Sequence, residues 1–247
     1  MKLLNYHDGD FHVAHFQGYC HVAYTAVIAE MKKTPIKIPD DVTVVTMANA
    51  PDNCLLIKQL KANKMPFLNH AEPGGDWKNT MKPGYIRKSL DEVRTEYALI
   101  LDAGDVLLTG DLTDIVARFK AYTFDGIPGS TAAKALKMLF GASKNNHPNM
   151  LIDKVYGRDY RGEFRYLNAG TAFGYTDYCK AFYKEVDRLI WEDELKAPNH
   201  SEQFFVRHVF KDRMDAVDFD YKCDIFQTFG KTEAECLDVE ENIYRIV

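Results

Sequence analysis

The chain has 247 residues, 46% hydrophobic and 27% charged, which is the balance of an ordinary soluble globule with room for one large α/β domain or two small ones. Its net charge of −5 does not mark a nucleic-acid binder, and no run of 18 apolar residues is present to span a bilayer. The opening Met1-Lys-Leu-Leu-Asn-Tyr-His-Asp lacks the apolar stretch of a secretory signal, so a cytoplasmic protein without membrane partners is expected. Five scattered cysteines (Cys20, Cys54, Cys179, Cys223, Cys236), odd in number and without a close pair, read as reduced thiols filling the core.

Residues 1–41 carry four of the eight histidines, His7, His12, His15 and His21, with Asp8 and Asp10 nearby. Their spacing matches no metal-ligand pattern. The expectation is an N-terminal extension, a strand or helix packed on the edge of a sheet, with the main domain over 42–247.

Val42-Thr-Val-Val-Thr-Met-Ala is a dense β-branched run suited to a buried strand, and a helical pattern begins at Cys54 after an Asn-Ala-Pro-Asp turn. A short strand at 66–68 leads into the Gly/Pro-rich loop Glu72-Pro-Gly-Gly-Asp-Trp-Lys-Asn, and a helix is expected over 85–94. The next strand, Tyr97-Ala-Leu-Ile-Leu-Asp, closes a β-α-β-α-β order that favours a parallel sheet.

That strand breaks abruptly into Asp102 and Asp105. The carboxyl edge of a parallel sheet borders the crevice where α/β proteins bind ligands. Two acids there suit a hard divalent cation, Mn²⁺ or Mg²⁺, holding a diphosphate. Asp is also common where strands end and helices start, so the pair alone leaves a purely structural reading open. Two other carboxylate motifs fail on spacing. A haloacid-dehalogenase phosphatase needs its acids two apart after the first strand, and an EF-hand counted from Asp102 meets Gly104, Val106 and Thr113 at its third, fifth and twelfth positions.

Beyond the acids, Leu112, Ile115, Val116 and Phe119 fall at helical spacing, and Tyr122-Thr-Phe-Asp-Gly-Ile-Pro reads as a short strand and turn. Residues 141–163 hold Gly, Asn, Pro and Arg without clear period and are expected to be a loop-rich insertion. A strand pair or bent strand follows over 164–175. Tyr178, Cys179, Phe182, Val186, Leu189 and Ile190 line one side of a helix, and a further helix over 201–210 and strands near Val217 and over 225–229 complete the body. Between Ser130 and Arg165, seven bases oppose three acids, so this segment carries +4 and the remainder −9. Such a cluster is a solvated surface or a patch for a polyanion.

Three separated segments converge on one family. Leu101-Asp-Ala-Gly-Asp-Val-Leu-Leu-Thr-Gly, Arg165-Tyr-Leu-Asn-Ala-Gly-Thr-Ala-Phe-Gly-Tyr, and Glu202-Gln-Phe-Phe-Val with Asp220-Tyr-Lys-Cys-Asp-Ile-Phe-Gln-Thr resemble the glycosyltransferase domain of procollagen lysyl hydroxylases over about 42–240. The resemblance implies a GT-A fold, a Rossmann-like and mostly parallel sheet flanked by helices in a single domain, acting as a hexosyltransferase on a UDP-sugar with Mn²⁺. It further implies that Asp102 and Asp105 bind the metal. Thr46, Trp77 and Lys82 then belong to the nucleotide-sugar site with Asp102, as do Asn168, Ala169 and Gly170, a small-residue turn that the sugar approaches closely. Glu202, in the place of an acidic Asp-Asp-Gln stretch that reads Ser201-Glu-Gln here, and Asp125 are the candidate catalytic carboxylates; an inverting reaction needs one as general base. A Glu at a helix start is otherwise an ordinary capping feature.

The family's third metal ligand is a His in a His-Gly-Asn-Gly segment after the last strand, and the sequence reaches Val247 without one. Another residue, or phosphates and water, must then complete the ion's shell, unless chain beyond Val247 does so. For the acceptor, similarity to stand-alone base J-type glucosyltransferases and the basic stretch 130–165 point to hydroxymethylpyrimidine bases in DNA, with glucose as the sugar. A base in a duplex must then be flipped out of the stack. Hydroxylysine-like protein side chains or a glycan are the alternative acceptors, and a nucleotide-sugar hydrolase or a non-catalytic binding protein are the alternative functions.

Overall fold

A computed structural model describes residues 12–16, 35–122, 135–148, 163–193 and 201–229, together with the backbone of three short strands at 2–4, 234–238 and 243–246. In chain order the strands are β1 (Lys2–Leu4), β2 (Val13–Phe16), β3 (Val42–Met47), β4 (Phe67–Leu68), β5 (Tyr97–Asp102) and β6 (Val106–Leu108). They continue with β7 (Met138–Ser143), β8 (Tyr166–Tyr175), β9 (Val217–Phe219), β10 (Phe226–Phe229), β11 (Ala234–Asp238) and β12 (Ile243–Ile246). The helices are α1 (Leu55–Ala62), α2 (Lys82–Glu92), α3 (Ile115–Ala121), α4 (Thr176–Asp193) and α5 (Glu202–Lys211).

Six strands form the central sheet in the order β4-β3-β5-β8-β7-β9. β8 alone runs against its neighbours, so the sheet is mostly parallel. The β-branched β3 is buried at all but Thr43, as a strand covered on both faces must be. Side chains of β5 alternate between two apolar cores. Ala98 and Ile100 pack with Ile86, Leu90, Phe182 and Val186 from α2 and α4, whereas Tyr97, Leu99 and Leu101 pack with Leu56, Leu60, Ile115 and Phe119 from α1 and α3. Each such side chain contributes about 1.5–3 kcal/mol through burial. Asp102 follows in the same alternation, so it leaves the sheet on the side of α2 and α4.

Helix α2 starts at Lys82 rather than near Tyr85, because Pro83 sits in its first turn, where a missing N–H costs nothing. It ends at Glu92, before extended Val93. Helix α4 buries Cys179, Phe182, Tyr183, Val186 and Ile190. Cys179 and Cys223 are buried free thiols and Cys54 a partly exposed one. Burial pushes the Cys179 thiol up to about 12, which fits an inert core residue.

The 141–163 reading needs correction. Residues 141–143 are not loop but the end of β7, whose six residues are all buried. Gly141 marks a close approach instead of a turn: a Cβ there would meet Thr171 Oγ1 at 2.2 Å. At this point the β7–β8 register jumps from Phe140 opposite Ala172 to Gly141 opposite Asn168, so Ala169, Gly170 and Thr171 bulge out of that ladder. The rest of the presumed insertion from 149 to 162, and the strand and turn expected over 123–128, lie outside the described residues.

Val13–Phe16, from the segment expected to flank the sheet, is the middle strand of a second sheet of order β10-β2-β6. It is parallel to β10 and antiparallel to β6, the strand that follows the two aspartates. A third sheet joins β1, β12 and β11.

Candidate functional site

Strand β5 delivers Asp102 at the carboxyl edge of the central sheet, paired in register with Met47 at the end of β3. Three residues later Asp105 precedes β6, and the pairing of β6 with β2 places His15 opposite Val106. His15 Nε2 lies 3.6 Å from Asp105 Oδ1. Ligand atoms of His15, Asp102 and Asp105 all fall within 4.8 Å of one another. One imidazole and two carboxylates converging at that range form a donor set for a divalent cation such as Mn²⁺.

Asp102 is also met by Lys82, the first residue of α2. Its ammonium donates to both oxygens of Asp102, at 3.0 Å each, and pairs with Glu202 Oε1 at 3.1 Å. Glu202 is the first residue of α5 and is nearly buried. Burial works to lower the Lys82 pKa, but the carboxylates of Asp102 and Glu202 more than offset it, so Lys82 stays firmly charged. Asp102 is displaced upward by burial, with Asp105 and Glu202 adding to the rise against the pull of Lys82. For this pair the charged state of Lys82 is decisive, because one ammonium faces two carboxylates. Three carboxylates, Asp102, Asp105 and Glu202, thus share this site with one lysine and one imidazole. Burial would also lower His15, yet the nearby Asp105, joined by Asp102, turns the net shift upward.

The β8 bulge forms the floor. A Cβ on Gly170 would meet His15 Cε1 at 2.5 Å and Asp102 Oδ2 at 3.0 Å, so only glycine lets these two side chains close over the strand. Missing ladder bonds are replaced by side chains: Asn168 Oδ1 accepts the Gly170 N–H at 2.8 Å, and Gln203 Oε1 accepts that of Ala169 at 2.9 Å. Gln203 also donates to the His147 carbonyl. One turn along α5, the buried Arg207 donates Nη2 to the Leu167 carbonyl at 2.9 Å and Nη1 to Asn146 Oδ1 and the Pro148 carbonyl at 3.0 Å. Both peptide groups beside Asn168 are therefore held by α5.

Of the residues singled out in the sequence, Lys82, Asp102, Asp105, Asn168, Ala169, Gly170 and Glu202 meet at this edge. Thr46 is adjacent but completely buried, and its hydroxyl donates to the Leu101 carbonyl at 2.8 Å. Trp77 stacks on Tyr85 with ring centroids 6.0 Å apart. Asp125 lies outside the described residues, as does most of the basic stretch 130–165. Sequence reasoning missed His15, Gln203 and Arg207. His15 alternates with Val13 along a strand-like Phe11-His-Val-Ala-His-Phe, but nothing in that pattern names its partners.

Compared with protein families, residues 63–246 match the model of the PLOD GT domain. The chain belongs to that family. The matched span contains the lysine, both aspartates, the bulge and the start of α5, and leaves His15 outside it. The chain therefore carries a glycosyltransferase domain, on a mixed α/β fold consistent with GT-A. Among solved structures it is similar to the glycosyltransferase GlyE of Streptococcus pneumoniae TIGR4, at 13% identity and TM-score 0.41, over 83% of this chain and 44% of that one. The apo-form of GlyE gives 13% identity and TM-score 0.43, over 87% and 46%. This chain thus spans less than half the length of either structure. No curated protein sequence matches it. No helix among the described residues is long and apolar enough to cross a membrane.

Proposed function

We propose that this domain transfers a hexose, glucose by first choice, from a UDP-sugar to a hydroxyl acceptor with the help of Mn²⁺ or Mg²⁺. The observation that carries the reading is the convergence of His15, Asp102 and Asp105 within 4.8 Å beside a net excess of carboxylate charge. These three residues would hold the ion. When bound, a divalent cation supplies Lewis-acid stabilisation of the charge that builds on the departing diphosphate. His15 is then the imidazole ligand beside the two aspartates.

Lys82 sits where it can turn from Asp102 and Glu202 to an incoming phosphate or sugar hydroxyl, and the Asn168–Gly170 bulge offers its backbone beside that position. Glu202 is the described candidate for the general base, and Asp125 is the other; Trp77 covers the nucleotide from the 72–79 loop, and Thr46 holds the end of β3 against β5 beneath it.

For the acceptor we favour hydroxymethylated pyrimidines in DNA, supported by the seven bases against three acids between Ser130 and Arg165. Hydroxylysine-like side chains are the second reading, favoured by the family match. Incubating the protein with Mn²⁺ and radiolabelled UDP-sugars decides among them, with hydroxymethylated duplex DNA, a hydroxylysine peptide or no acceptor in separate arms. Label on DNA is the expected result, and label on the peptide alone overturns the DNA acceptor. Sugar release that ignores both acceptors means a hydrolase, and nucleotide binding without turnover means a binding protein.

A further inference from the structure

A histidine that binds a metal through one ring nitrogen nearly always has its other nitrogen fixed by a hydrogen bond, which sets the tautomer and the ring plane. His15 directs Nε2 toward Asp105. Its Nδ1 is buried and has no hydrogen-bond partner among the described residues. The strand pairing restricts what can serve. In register with His15 stand Val106 on β6 and Thr228 on β10. All three side chains leave the same face of this sheet, the face on which Val13, Val106, Leu108 and Phe226 join one apolar cluster. Val106 offers no polar atom. Thr228 offers a hydroxyl that is itself buried and, among the described residues, without a partner.

Paired strands lie about 4.8 Å apart. Oγ1 is bonded directly to Cβ, and Nδ1 is the ring nitrogen nearer the backbone, so χ1 of Thr228 is the torsion that would bring them together. Two orphaned polar atoms of complementary character, side by side on neighbouring strands, are unusual in a folded interior. We propose that Thr228 is the positioning residue of His15: its hydroxyl accepts the Nδ1–H, which leaves the lone pair on Nε2, the atom facing Asp105. Strand β10 then sets the orientation of a ligand carried by β2. This inference rests on His15 being a metal ligand.

The test compares Thr228→Val, which keeps the shape and removes the hydroxyl, with Thr228→Ser, which keeps the hydroxyl, in the full chain. Calorimetric titration with Mn²⁺ alone is the first readout. T228V is expected to weaken binding by about 10- to 100-fold, and T228S to remain near wild type. Imidazole ¹⁵N shifts of the wild-type protein with Mg²⁺ bound are the second and need no variant; the Nδ1–H form is expected, since without an ion the Asp105 carboxylate itself favours Nε2–H. A wild-type His15 in the Nε2–H form under those conditions overturns the proposal, as does T228V binding Mn²⁺ like wild type while H15A loses it. If H15A itself binds Mn²⁺ normally, His15 is no ligand and both ideas fall.

Discussion

Gly170 lies directly under His15: a methyl group in place of its hydrogen would come within 2.5 Å of the imidazole Cε1 and 3.0 Å of Asp102 Oδ2. Three distant stretches of chain meet at that point, and only the missing side chain permits it. Gly170→Ala is therefore expected to push the imidazole away from the aspartates. We expect at least a tenfold loss of Mn²⁺ affinity in calorimetry, with a stability cost of about 1–3 kcal/mol from overpacking. A variant that melts lower yet binds Mn²⁺ unchanged would show that the close approach serves packing alone.

Lys82 is the cation between Asp102 and Glu202. Lys82→Met leaves both carboxylates buried without it, and breaking a buried pair in this way costs about 3–5 kcal/mol. Added Mn²⁺ supplies positive charge to the same cluster, so it should raise the melting temperature of K82M more than that of wild type. Thermal melts with and without the ion measure this, and equal shifts in the two proteins would argue against a shared electrostatic site.

Arg207 and Gln203 hold the bulge from α5. Arg207→Met removes charged hydrogen bonds worth about 1.5–3 kcal/mol each and frees the Leu167 carbonyl. Amide exchange at Ala169 and Gly170 is expected to accelerate well beyond that of β5, with Arg207→Lys intermediate because it keeps the charge but loses the fork. Uniform acceleration across the central sheet would mean that Arg207 stabilises the fold generally and does not position the bulge.

Asp220 is completely buried, and its carboxylate accepts the N–H groups of Asp224, Ile225 and Phe226 at the entry to β10. Burial pushes its pKa up to about 6, although those three bonds pull it down. A raised acid pKa means that the folded state binds the proton more tightly than the unfolded state. The associated stability is fully present below the ordinary carboxylate pKa near 4 and is lost as pH rises through 6. The contribution is up to about 3 kcal/mol at 1.36 kcal/mol per pKa unit. Between pH 4 and 7 the wild type should lose up to about this much more stability in denaturant unfolding than Asp220→Asn does. Parallel pH profiles would remove Asp220 from the account.

Much of this architecture could be read from residue order. The β-branched run at 42–47, the apolar strand ending in Asp102 and the amphipathic α4 are written in local patterns of period two or three to four, which depend only on which face is buried. Gly141 misled the reading, because a glycine that admits a neighbouring side chain looks in sequence like one that turns the chain.

The amino-acid order by itself determined the layered α/β plan and the two aspartates at a strand end, since burial periodicity and an abrupt change from apolar to acidic are local signals. Only the tertiary structure decided that His15 joins those aspartates, that Lys82 ties Asp102 to Glu202, and that α5 holds the Asn168–Gly170 bulge. Those relationships come from strand pairing and helix docking across up to about 120 residues of intervening chain, and no local pattern encodes which partner a buried polar side chain will meet.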